Sequence, residues 1–193
     1  MIDSILTRKN TDIKMRITVK SAVSLAVIIL AVGLPQLVHM AFGAESGVKL
    51  LPMYLPVLLG GCLLGSRLGM AVGLASPIIG FALTSIAGNP MPAAARLPFM
   101  AAELVIMAAV AGLFSKKIAE KAWMSFPAAA LALIIGRASF VGLVALFGRF
   151  FSLNLSVILG QIKAGVPGLL LCAVIVPVST VIISRLAGAS DNK

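Results

Sequence analysis

F-P-A-A-A-L-A-L-I-I-G-R-A-S-F-V-G-L-V-A-L-F, residues 126–147, holds a single charge, Arg137. A bilayer core of about 30 Å takes about 20 apolar residues of helix, so this stretch is long enough to cross a membrane by itself. Similar stretches lie on both sides of it, at 17–38, 50–65, 68–87, 98–114 and 166–186. The composition of the 193 residues agrees: 60% are hydrophobic and 11% charged, whereas soluble domains run nearer half and a quarter. So few charges cannot cover a water-facing surface, and most of the exterior must meet lipid or a partner. The expected fold is an all-α membrane protein, a bundle of six transmembrane helices.

Ahead of the first span, residues 1–16 form a polar arm carrying Arg8, Lys9, Lys14 and Arg16. It is too long and too mixed for a secretory signal, and no A-x-A-like site follows, so the first helix reads as uncleaved. The second and third spans are separated only by Ser66 and Arg67, which predicts a tight turn between antiparallel helices. The chain is then expected to comprise the arm, a transmembrane domain over 17–187 and a tail at 188–193.

A net charge of +10, from 16 Lys and Arg against 6 Asp and Glu, would ordinarily suggest nucleic acid. The positions of the charges argue otherwise, because they gather at the ends of spans, where they report membrane orientation. With the N-terminus inside, the cytoplasmic set is Arg8, Lys9, Lys14, Arg16, Lys20, Arg67, Lys116, Lys117, Lys121, Arg185 and Lys193. The outer set is Lys49, Arg96, Arg149 and Lys163. Both termini are therefore expected in the cytoplasm, with the protein multi-pass in the cell membrane and no nucleic-acid partner. The outer loop from Gly148 to Gly165 contains F-S-L-N-L-S-V-I-L, too short to span, and reads as a short interfacial helix or lid.

Small residues set how closely helices approach in lipid. Gly65, Gly69 and Gly73 make one smooth face and Ala22 and Ala26 another; the first reads as bundle packing, the second as packing or as a docking surface. Pro77 and Pro177 interrupt spans and are candidates for bends around a cavity. Cys62 and Cys172 lie in apolar runs and read as small fillers, with neither a disulfide nor a zinc site implied. Trp123 at the inner boundary fits an interfacial anchor.

Charges inside the membrane are expensive and default to function. Arg137 lies about 16 Å into the fifth span and Glu103 about 7.5 Å into the fourth from its outer end, at 1.5 Å per residue. Two readings follow. The residues pair and lock two helices together, or they line a ligand site in the outer half, where Arg137 holds a carboxylate or phosphate in a planar fork and Glu103 suits a cationic group. His39, Asn89, Arg96, Asn154 and Gln161 fall at the same outer level and would cap such a site. The expected substrate-binding set is His39, Asn89, Arg96, Glu103, Arg137 and Gln161, with no metal.

No phosphate loop, His-Glu-x-x-His helix or Gly-x-Ser-x-Gly elbow occurs, and one histidine leaves little scope for acid/base work near neutral pH. The chain is expected to be neither an enzyme nor a cofactor binder. The halves show no internal repeat of the kind found in secondary transporters. An outer cavity without an energy source suggests a substrate-binding subunit that borrows a motor.

Along nearly its whole length the chain resembles the substrate-binding (S) component of an energy-coupling factor (ECF-type) transporter, a family of vitamin importers. The resemblance is carried by L-P-M-Y-L-P-V-L-L-G-G-C-L-L-G-S-R-L-G (Leu51 to Gly69), G-N-P-M-P-A-A-A-R-L-P-F-M-A-A-E-L (Gly88 to Leu104) and A-G-V-P-G-L-L-L-C-A-V-I-V-P (Ala164 to Pro177). Ala22 and Ala26 resemble the family's Ala-x-x-x-Ala surface. The resemblance implies a six-helix bundle that captures a small water-soluble vitamin in its outer half and docks through that surface on a transmembrane coupling subunit. Two cytoplasmic ATPases would drive the complex as an ABC importer. The alternatives are a stand-alone small secondary transporter or channel, and a structural or assembly membrane protein.

Overall fold

The computed structural model describes residue 2 and residues 13–43, 49–88 and 92–189. Among these there are helices and no strand. The helices are α1 (Ile13–Phe42), α2 (Tyr54–Leu64), α3 (Ser66–Ile86), α4 (Leu97–Leu113), α5 (Ser115–Glu120), α6 (Ser125–Phe147), α7 (Leu155–Ala164) and α8 (Val166–Ala189). Short 3-10 turns at Ala94–Arg96, Ala122–Met124 and Gly148–Phe151 lead into α4 and α6 and out of α6. Among the described residues, five stretches are long and apolar enough to cross a membrane: Ile17–Phe42, Ser66–Ile86, Ala94–Leu113, Ala122–Phe151 and Val166–Leu186. Their outward side chains, such as Leu25, Ile29, Leu83, Leu146, Leu170 and Ile182, are exposed, as lipid contact requires. The chain is an all-α, multi-pass membrane protein.

The expected span at 50–65 takes a different form. It is helical as α2 for only 11 residues, about 16 Å of rise and roughly half of a 30 Å core. The cause is local. Pro52 disfavours helical backbone at the residue before it, and Leu51 adopts φ +48°, so the chain turns at residues 51–53. The Tyr54 amide N–H donates to the Leu51 carbonyl at 3.0 Å. Pro56, the third residue of the new helix, is tolerated because the first turn has no partners for its N–H groups. Short as it is, α2 is the best buried helix, with Tyr54, Pro56, Val57, Leu58, Gly60, Gly61, Cys62, Leu63 and Leu64 all inside. It packs against α1, α3, α4 and α8.

Other boundaries shift slightly. The turn between α2 and α3 sits on Gly65, whose φ of +86° favours glycine, and Ser66 and Arg67 already belong to α3. The Ser66 hydroxyl donates to the Ala109 carbonyl at 3.1 Å, tying this turn to α4. Helix α1 starts inside the arm assigned to 1–16, and α8 runs to Ala189, into the tail assigned to 188–193. Arg8, Lys9 and Lys193 lie outside the described residues.

The glycine face does pack within the bundle. A Cβ on Gly73 would come 2.7 Å from the Leu104 carbonyl oxygen, and one on Gly69 would come 2.9 Å from the Gly61 Cα. The α3 backbone therefore nearly touches that of α4 at Gly73 and that of α2 at Gly69, the contact that small residues permit in lipid. Cys62 and Cys172 are free thiols buried in the bundle, as small fillers should be. Trp123 is largely exposed, its ring 4.6 Å from that of Phe126. Helix α1 is the outlier, with only Val27 and Ala31 fully buried among its described side chains.

Candidate functional site

Three helices bring their polar residues to one depth. From the α2 and α4 ends at Leu64 and Leu113, Tyr54 and Glu103 are each ten residues back, about 15 Å along the axis. Arg137 lies about 18 Å into α6 by the same rise. The Tyr54 hydroxyl donates to Glu103 Oε2 at 2.6 Å. Arg137 Nη1 stands 3.2 Å from Glu103 Oε1, with side-chain exposures of 14% and 0% for the two residues. That contact is an ion pair without hydrogen-bond geometry: Glu103 Oε1 has no hydrogen-bond partner, and neither has Arg137 Nε. The guanidinium carbon lies 4.9 Å from the centre of the Tyr54 ring, an aromatic face that favours a cation. The two intramembrane charges therefore meet, and Tyr54 completes the group.

This cluster forms the floor of a cavity of about 390 Å³, within the range of small-molecule sites. Its walls come from one end of the bundle. Helix α1 supplies Val32, Pro35, Gln36 and His39; the turn before α2 supplies Leu51, Pro52 and Met53; Pro92, Ala93, Arg96 and Met100 come from α4 and its approach. Phe140 of α6 and Ile158, Gln161 and Ile162 of α7 close the remaining side. Helix α7 is the short helix expected in the outer loop. Its first turn is capped by Asn154, whose Oδ1 accepts from the Ser156 amide at 3.0 Å and the Ser156 hydroxyl at 2.8 Å. Buried Ile158 joins Phe99, Phe140 and Val144 in a small apolar cluster, which holds this helix over the cavity.

Of the residues expected to bind substrate, His39, Arg96, Glu103, Arg137 and Gln161 line the same cavity, and Asn89 lies outside the described residues. Asn154 caps α7 rather than facing inward. His39 Nδ1 is buried without a hydrogen-bond partner. Neither Pro77 nor Pro177 borders the cavity; Pro35, Pro52 and Pro92 do. The prolines at its wall thus belong to α1 and to the approaches to α2 and α4. Ala22 and Ala26 are exposed on the half of α1 away from the cavity. Among the described residues no group of three His, Cys, Asp or Glu is placed to hold a metal.

Sequence reasoning missed Tyr54 and Gln36. Tyr54 carried a signal, being the only tyrosine in the chain and flanked by Pro52 and Pro56. Gln36 carried a weaker one, as an amide beside Pro35 near the end of a span. Comparison with protein-family models, with curated proteins and with solved structures finds no match for this chain.

Proposed function

We propose that this protein is the substrate-capture subunit of an ECF-type vitamin importer in the cell membrane. The carrying observation is the cavity at one end of the bundle, floored by a polar cluster in mid-span and walled mostly by apolar side chains. A concave, mostly apolar pocket with a few convergent polar groups is the usual form of a small-molecule site.

The basic residues support an outward-facing cavity. Arg67, Lys116, Lys117 and Lys121 flank the α2–α3 turn and the far ends of α4 and α6, opposite the cavity, which fits a cytoplasmic face under the positive-inside bias. In this reading the N- and C-termini are cytoplasmic, and the short α2 with its preceding turn completes a sixth passage. Exposed Ala22 and Ala26 give the coupling subunit a smooth place to dock. Two partner ATPases supply the energy, and this chain performs no chemistry.

The test is co-purification of the tagged chain with a transmembrane subunit and two ATPases from the cell that makes it, with mass spectrometry of any small molecule carried along. A chain that captures neither partners nor solute overturns the proposal. A second reading is favoured by one observation, the half-length helix that starts in mid-span, a device of secondary transporters. Gradient-driven uptake by the chain alone in liposomes, without ATP, would decide for it.

A further inference from the structure

We infer that the cavity selects a monoanion, a carboxylate on a small apolar body, and not a cationic or neutral solute. This rests on the capture reading and deepens it. Glu103 accepts a hydrogen bond from the Tyr54 hydroxyl at 2.6 Å on one oxygen and is ion-paired to Arg137 Nη1 at 3.2 Å through the other, and its side chain is wholly buried. Its charge is already matched by Arg137, and with no exposed oxygen it offers a cationic ligand no carboxylate edge. Arg137, in contrast, borders the cavity with its side chain 14% exposed. A guanidinium offers five N–H donors in a planar fork, so one arm on Glu103 leaves others for a second carboxylate.

Two further features have the same sign. Arg96 enters the cavity wall from the turn before α4. Among the described residues, with Arg96 and Arg137 positive and Glu103 negative, the charged lining sums to 2 − 1 = +1, matched by one negative charge. The N-terminus of α2 also opens here, since Met53 and Tyr54 line the cavity and no side chain caps that end. A helix N-terminus carries about half a positive charge and unsatisfied N–H groups, and half-helices in membranes point that end at anions. The rest of the wall, including Val32, Leu51, Met100 and Phe140, is apolar and suits a hydrocarbon body.

The experiment measures binding to the full-length protein in detergent by calorimetry, using matched pairs of acid and neutral analogue: lipoate with lipoamide, nicotinate with nicotinamide, and pantothenate with panthenol. Thiamine serves as the cationic probe. The expected result is that at least one acid binds about tenfold or more tighter than its partner, the scale of one hydrogen bond to a charged group. Arg96→Gln, at the rim of the cavity and outside the tightly packed interior, should narrow that gap to about threefold or less. Equal binding within every pair, a preference for thiamine, or an acid preference untouched by Arg96→Gln would overturn the inference and leave solute capture standing. A folded protein that binds none of the seven probes would remove the capture reading, and this inference with it.

Discussion

Alanine in place of Gly73 should destabilise the bundle, although alanine is the better helix former. The added Cβ would lie 2.7 Å from the Leu104 carbonyl oxygen and 2.9 Å from its carbon, where ordinary contact begins at 3.4 Å. The shortfall is 3.4 − 2.7 = 0.7 Å. The obstacle is the backbone of α4 rather than a side chain that can rotate away, so the two helices must part. Overpacking of this kind costs about 1–3 kcal/mol, with a rigid backbone obstacle at the upper end. The gain in helix propensity returns about 1 kcal/mol, leaving a net loss of about 1–2 kcal/mol. Gly142 in α6 provides the control, because a Cβ there meets nothing within 4 Å. Gly142→Ala keeps only the propensity gain. The two variants should therefore differ by about 2–3 kcal/mol, or several degrees in Tm for a chain of this length. Heating in detergent with a thiol-reactive dye reads this directly, since both cysteines are buried and react on unfolding. A Gly73→Ala protein that melts at or above Gly142→Ala would refute the claim that the α3–α4 approach is backbone-limited.

Other expectations can be checked on the same protein. Glu103→Leu and Arg137→Met should each lower the melting temperature sharply, because breaking a buried pair costs about 3–5 kcal/mol; the double variant should recover most of that loss, and additive losses would sink the pairing. Asn154→Ala removes the cap of α7 and should cost about 0.5–2 kcal/mol, seen as faster amide exchange confined to residues 155–164. Faster exchange throughout the bundle would instead make Asn154 a global support. If the proposed docking role holds, Ala22→Leu or Ala26→Leu should leave melting and ligand binding unchanged, as both positions are exposed, while transport with the proposed coupling partners is lost. Unchanged transport would remove the docking role.

Hydropathy made the long helices legible, because crossing about 30 Å of hydrocarbon leaves no choice but an apolar helix. The Glu103–Arg137 pairing was legible as one of two options, since the cost of intramembrane charge demands a partner or a cavity; the structure provides both. The shortness of α2 was not read. Leu51 to Gly69 is apolar enough to pass as a span, and hydropathy is blind to the dihedral constraint that Pro52 places on Leu51. Tyr54 escapes for a related reason: inside a continuous apolar stretch nothing in the hydropathy marks it as the start of a helix. The cavity walls were likewise sought at Pro77 and Pro177, whereas the constriction of backbone that matters is at the approach to α2.

That approach ties two features together. Backbone that leaves a helix within hydrocarbon survives only against protein or water. On one side the chain at Lys49 and Leu50 leans on α8 at Gly168, where a Cβ would come within 2.6 Å of their backbone atoms. On the other, residues 51–53 front the cavity. The hollow is thus a condition of the chain path: it opens beside the interrupted backbone a space that water can enter, which lipid would deny. Any redesign that plugged it with hydrocarbon side chains would have to mend the interruption as well.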